Sequence, residues 1–125
     1  METIVLVFPE TSVTLELLAA ALASRGDVEL DDKVITVRSG ESRIYIVADV
    51  VSHFEDIFEE WPEHLIPAAP VAIFSLDYRN KEHAVGVIST LAQLFPVMVD
   101  TNFGYVGPGS GLTIQVLDHR GIGQG

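Results

Sequence analysis

Hydrophobic positions change their period several times along the chain, and each change marks an element. Residues 3–8, Thr-Ile-Val-Leu-Val-Phe, are rich in β-branched side chains and almost wholly apolar, the pattern of a strand covered on both faces. Pro9 ends it. Ser12 can cap a helix over residues 13–25, with Leu15, Leu18 and Leu22 on one stripe beside a patch of alanines. Gly26 stands where a left-handed C-terminal residue belongs. Residues 33–38 and 43–47 are β-rich runs separated by Ser39-Gly40-Glu41-Ser42, which predicts a hairpin. A second helix is expected over 49–61, capped by Asp49. Its apolar positions Val50, Phe54, Ile57, Phe58 and Trp61 keep the helical period, and Pro62 blocks continuation.

Residues 62–70 hold three prolines and predict a connection with one irregular turn. Residues 71–77 form the next buried strand. Asn80 caps a third helix over 81–95, with Ala84, Ile88, Leu91 and Phe95 as its core stripe and Pro96 as its stop. Residues 97–99 are a short strand, 104–111 a loop with four glycines and a proline, and 112–117 an alternating last strand. The tail, 121–125, is expected to fray. Strand, helix, two strands thus occurs twice, with the 49–61 helix bridging the halves. The fold class this predicts is α+β: a mixed β-sheet with helices packed on it, ferredoxin-like or two βαββ halves. A three-layer α/β arrangement is the alternative, because two strands are apolar throughout.

Length and charge narrow the function. The chain has 125 residues, which predicts a single domain over 1–120 followed by the tail. It carries 18 acidic against 7 basic residues, net charge −11, with 48% apolar residues and no cysteine. Absence of cysteine excludes a disulfide framework, a thiolate zinc site and a Cys nucleophile. The charge argues against nucleic acid and against anionic membrane surfaces, since both attract cations. It favours a basic partner. Glu2 stands in place of the positive start of a signal peptide, and no stretch nears the roughly 20 apolar residues of a membrane span. A cytoplasmic location is the expectation.

Candidate chemistry is sparse. The run Gly104-Tyr105-Val106-Gly107-Pro108-Gly109-Ser110-Gly111 lacks the lysine and the following helix of a phosphate loop. Such a loop serves better for contact with a ligand or partner. His53, His64, His83 and His119 include no pair at His-x-x-x-His spacing; His53 with Asp56 and Glu60 with His64 are one turn apart, the spacing of a weak metal site on one helix face, which Pro62 interrupts between Glu60 and His64. Solvated surface histidines are the simpler reading, and neither metal nor cofactor is expected. Ser39, Ser42, Ser52, Ser75, Ser89 and Ser110 sit on no nucleophile elbow. Asp77 and Asp100 each follow an apolar strand, where a parallel sheet places site residues, and equally where turns place acids. No catalytic residue is assigned and no enzyme is expected.

The 49–61 helix is the most informative feature. Its apolar stripe leaves Glu55, Asp56, Glu59 and Glu60 together on the opposite face, with Glu63 just beyond. Glu55 with Glu59, and Asp56 with Glu60, are like-charge pairs at i, i+4, each costing an isolated helix about 0.2–0.5 kcal/mol. The second acids of both pairs fall in the last turn, where the helix dipole prefers cations. No lysine or arginine lies between residues 44 and 78 to offset them. A face arranged against its own stability suggests docking onto a positive surface. The alternative is a solvated face on an acidic protein.

Phe74-Ser75-Leu76-Asp77-Tyr78, the helix after it, and Phe95-Pro96-Val97-Met98-Val99-Asp100-Thr101-Asn102-Phe103-Gly104 resemble the C-terminal half of immunity proteins of bacterial polymorphic-toxin and contact-dependent inhibition systems. The resemblance implies a non-enzymatic inhibitor that covers the active site or substrate path of one cognate toxin. Where that toxin is a nuclease, its cationic groove would receive Glu55, Asp56, Glu59, Glu60 and Glu63. The rival reading is a small regulatory or ligand-binding α+β domain. It would use Asp77, Asp100 and Tyr105 of the glycine-rich loop around a small molecule.

Overall fold

The computed structural model describes residues 2–10, 12–48, 58–59, 61–67, 71–101 and 105–118. The strands are β1 (Glu2–Phe8), β2 (Asp27–Asp31), β3 (Val34–Ser39), β4 (Ser42–Ala48), β5 (Ala72–Tyr78), β6 (Met98–Asp100) and β7 (Val106–Pro108). The described helices are α1 (Leu15–Leu22), α2 (Lys81–Leu94) and α3 (Ile114–Asp118). The seven strands form one sheet in the order β2-β3-β4-β5-β1-β6-β7. Every neighbouring pair is antiparallel. This is the α+β architecture that the strand and helix periods predict.

β1 is apolar from Ile4 to Phe8, where it lies inside the sheet between β5 and β6. Leu6 faces Phe74 on one side and Val99 on the other. β5 and β6 both oppose β1 and therefore run the same way, so the chain between them must cross over β1, and α2 is that crossover. α1 crosses similarly from β1 to the far edge strand β2, and packs on α2. The two halves interleave: β1 of the first sits between β5 and β6 of the second.

Alternation sorts each strand into two faces. One face carries Ile4, Leu6, Phe8, Ile35, Val37, Ile44, Ile46, Phe74, Leu76, Tyr78 and Val99, and packs against Leu18 and Leu22 of α1 and Ala84, Val87, Ile88 and Leu91 of α2. Phe8 meets Phe74 and Phe95 edge to face, with centroids 5.5 and 5.9 Å apart. The second face carries a smaller cluster of Val7, Val71 and Ile73 under Phe58 and Trp61. The described helices pack in the first cluster, so the described layers are two rather than three.

Several local expectations need correction. Thr14, rather than Ser12, caps α1, its side chain accepting from the Leu17 N–H at 3.3 Å. Ser12 instead donates to Glu10 Oε2 at 3.3 Å. Gly26 adopts φ 142°, ψ −148° rather than the left-handed helical conformation. A β-carbon there would lie 2.8 Å from the Arg38 carbonyl oxygen. Val28 and Leu30 alternate with acids in β2, a strand the short two-residue link Asp32-Lys33 concealed. Asp32 takes φ 54° in that link, which a short polar side chain tolerates.

The largest correction is at residues 112–117, which form no strand. Thr113 accepts from the Val116 N–H at 3.2 Å through its side chain and from the Leu117 N–H at 3.2 Å through its carbonyl, starting α3. Five residues of alternating polarity bury Leu117 as well on a helical turn against α2 as they would on a strand. Within the expected loop 104–111, β7 pairs with β6 and a 3₁₀ turn, Gly109–Gly111, follows. The expected helix over 49–61 lies largely outside the described residues. Its described end, Phe58, Glu59 and Trp61, is a turn closed by the Trp61 N–H on the Phe58 carbonyl at 3.1 Å.

Candidate functional site

The acidic segment is bolted to the second face of the sheet. Phe58 and Trp61 are each only 5% exposed, their rings edge to face at 4.6 Å, and they sit on Val7, Val71 and Ile73. Trp61 also donates its indole N–H to Asp100 Oδ2 at 2.7 Å. A 3₁₀ turn, Glu63–Leu65, follows, with Leu65 half-buried against the same cluster. Glu59 and Glu63 face solvent. Burial of the two rings thus leaves these two carboxylates on the outer side of the segment. Glu55, Asp56 and Glu60 lie outside the described residues.

Among the described residues, Asp77, Asp100 and Tyr105 each have a local partner of their own. Asp77 accepts from the Thr3 hydroxyl at 2.6 Å and faces Thr3 and Tyr45 across the ladder. Asp100 serves the Trp61 anchor. Tyr105 donates its hydroxyl proton to the Pro108 carbonyl at 2.9 Å, and burial pushes its phenol pKa up. β-carbons at Gly107 and Gly111 would fall 2.8 and 2.6 Å from that hydroxyl oxygen, so the glycine-rich run closes around its own tyrosine. Cavities of about 790, 450 and 300 Å³ are lined by other residues.

The sequence reading missed what lies at the β3–β4 hairpin end. Arg38 and Arg43 are directly opposed there, and with Arg79, Tyr45, Ser42 and Asn80 they line the 790 Å³ cavity. Opposed like charges destabilise a ladder. Arg38 is relieved by Glu29 at 3.0 Å and by Asp27 at 3.9 Å. Arg43 and Arg79 are exposed and have no ion pair among the described residues. The register, once the hairpin turn is fixed at Gly40-Glu41, would have disclosed this pairing.

His83 corrects the expectation of surface histidines. It is 8% exposed, and its Nδ1 lies 2.6 Å from Ser42 Oγ, tying α2 to β4. Its Nε2 is buried with no hydrogen-bond partner among the described residues. Burial, and after it the Arg25 guanidinium, lowers its pKa, so the ring is neutral at neutral pH. His64 is exposed in the Glu63–Leu65 turn. Among the described residues no group of three His, Cys, Asp or Glu side chains could hold a metal ion, and no helix is long and apolar enough to cross a membrane. No family model, curated protein or solved structure matches this chain.

Proposed function

We propose that this chain is an acidic, non-enzymatic binding protein that docks on a basic protein partner and blocks it, as an immunity protein blocks its cognate toxin. One observation carries the reading: Phe58 and Trp61 are buried in the second-face cluster while Glu59 and Glu63, beside them in sequence, are exposed. The buried rings leave the two carboxylates exposed and available to a partner's cations. A net charge of −11 steers a cationic partner toward the chain and speeds encounter, most strongly at low salt. A nuclease toxin fits this chemistry, since its substrate groove must be cationic. The glycine-rich loop does not favour the rival small-molecule reading, because Tyr105 fills it.

The test is capture of partners from the source cell's lysate and secreted fraction at low and high salt, followed by assay of the captured protein. A basic protein, held at low salt and inactive while bound, is the expected result. E59K/E63K should lower its association rate at least several-fold. A captured partner that is acidic, stays active when bound, or associates equally fast with E59K/E63K would overturn the proposal.

A further inference from the structure

The geometry points to a second binding site, for a phosphate group, in the cavity between the β3–β4 hairpin and the start of α2. This goes beyond the acidic face and does not depend on it. Three of the chain's few cations, Arg38, Arg43 and Arg79, line one cavity of about 790 Å³ on a molecule of net charge −11. Such a concentration runs against the chain's composition, and repulsion between Arg38 and Arg43 works against the hairpin that carries them. Arg38 is committed to Glu29 and Asp27. Arg43 and Arg79 remain uncommitted among the described residues, and they carry the ligand.

The chemistry of the two guanidinia selects the anion. Each offers a planar fork of donors that matches phosphate oxygens two at a time. A phosphate monoester bears roughly −1.5 to −2 charges near neutral pH, enough for two guanidinia, whereas a carboxylate satisfies one. Asn80 caps α2 through its side chain, accepting from the His83 N–H at 2.9 Å, so the cavity also opens at a helix start where the dipole is positive. Glu41, on the hairpin turn, is the single carboxylate on the lining and sets a limit on how much anionic charge fits. The volume lies within the roughly 300–1,000 Å³ of small-molecule sites and far exceeds a bare phosphate. Tyr45 supplies an aromatic wall for whatever the phosphate is attached to. Ser42 is fixed by buried His83, which keeps the hairpin and α2 in register around the cavity.

The probes are inorganic phosphate, adenosine monophosphate and adenosine, titrated at low salt and followed by amide NMR shifts at Gly40, Ser42 and Asn80. Saturable binding of adenosine monophosphate is expected, weakened at least tenfold in R43Q/R79Q and less in R43K/R79K. Both positions are exposed, so the variants should keep the wild-type amide spectrum elsewhere. Tighter binding of the nucleotide than of phosphate, levelled by Tyr45→Leu, supports a ring-bearing monoester as the source. Equal binding of the two, still lost in R43Q/R79Q, supports free phosphate. The proposal is overturned if neither phosphate probe saturates, if adenosine binds as tightly as its monophosphate, or if R43Q/R79Q binds like wild type. These titrations read the arginine cavity alone and involve no protein partner, so failure here and failure of the acidic docking face are told apart.

Discussion

The two faces of the sheet use the same strands for different ends. The helix-covered face is apolar from Ile35 to Val99, and its side chains interlock with α1 and α2. The second face is apolar only around Val7, Val71 and Ile73. Away from that cluster it becomes polar, one row running Glu29, Thr36, Tyr45, Asp77 and Thr3, another Asp27, Arg38 and Arg43. Alternation along each strand permits this division: neighbouring residues point to opposite sides, so one sequence can satisfy two environments. The helix-covered face holds the fold. The groups of the proposed binding sites lie on the second face and its rim, where polar side chains can be placed without emptying the core.

Substitutions can break that contrast. Leu76→Ala, on the helix-covered face, should cost about 2–5 kcal/mol in urea unfolding, because it leaves a cavity among residues that cannot collapse into it. Trp61→Phe keeps an aromatic ring on the second face but removes the donor to Asp100. It should cost about 1.5–3 kcal/mol, the range for hydrogen bonds to charged groups. A cost equal to that of Leu76→Ala would mean the second-face cluster is as essential to the fold as the first.

A pH series sharpens the comparison further. His83 has a folded-state pKa below its usual 6.5, so the unfolded chain takes up a proton that the folded chain refuses. The stability associated with His83 is therefore present above pH 6.5 and is lost as pH falls toward the folded pKa. Urea midpoints of the wild type should fall over this window, and those of His83→Gln should fall less steeply. Parallel curves would remove His83 as the cause. The smallest effect is expected for E59K/E63K, below about 0.5 kcal/mol, since both carboxylates are exposed. A larger loss would mean that the acidic segment supports the fold instead of merely displaying charge.

Much of the architecture was legible without coordinates. The apolar run of β1, the Asn80 cap and apolar stripe of α2, and the Gly40-Glu41 turn are local signals, each decided by a few neighbouring residues. The alternation of Phe58 and Trp61 with Glu59 likewise separated buried from exposed positions. Two short segments were less legible than the short strand near 97–99. Residues 112–117 alternate as a strand would, yet they form a helical turn because Thr113 caps it and α2 offers Leu117 a place. β2 was hidden because its hydrophobic positions number only two and its turn lacks glycine.

Sequence by itself determined the class of the fold, the order of its long elements and the net charge, because periodicity and composition are properties of the chain alone. Tertiary structure decided which distant residues meet. It placed β1 between β5 and β6, brought Ser42 to His83, gave Asp100 to Trp61 and gathered Arg38, Arg43 and Arg79 around one cavity. Those encounters depend on strand order and register, which are set by the packing of the whole sheet and by no single stretch of it.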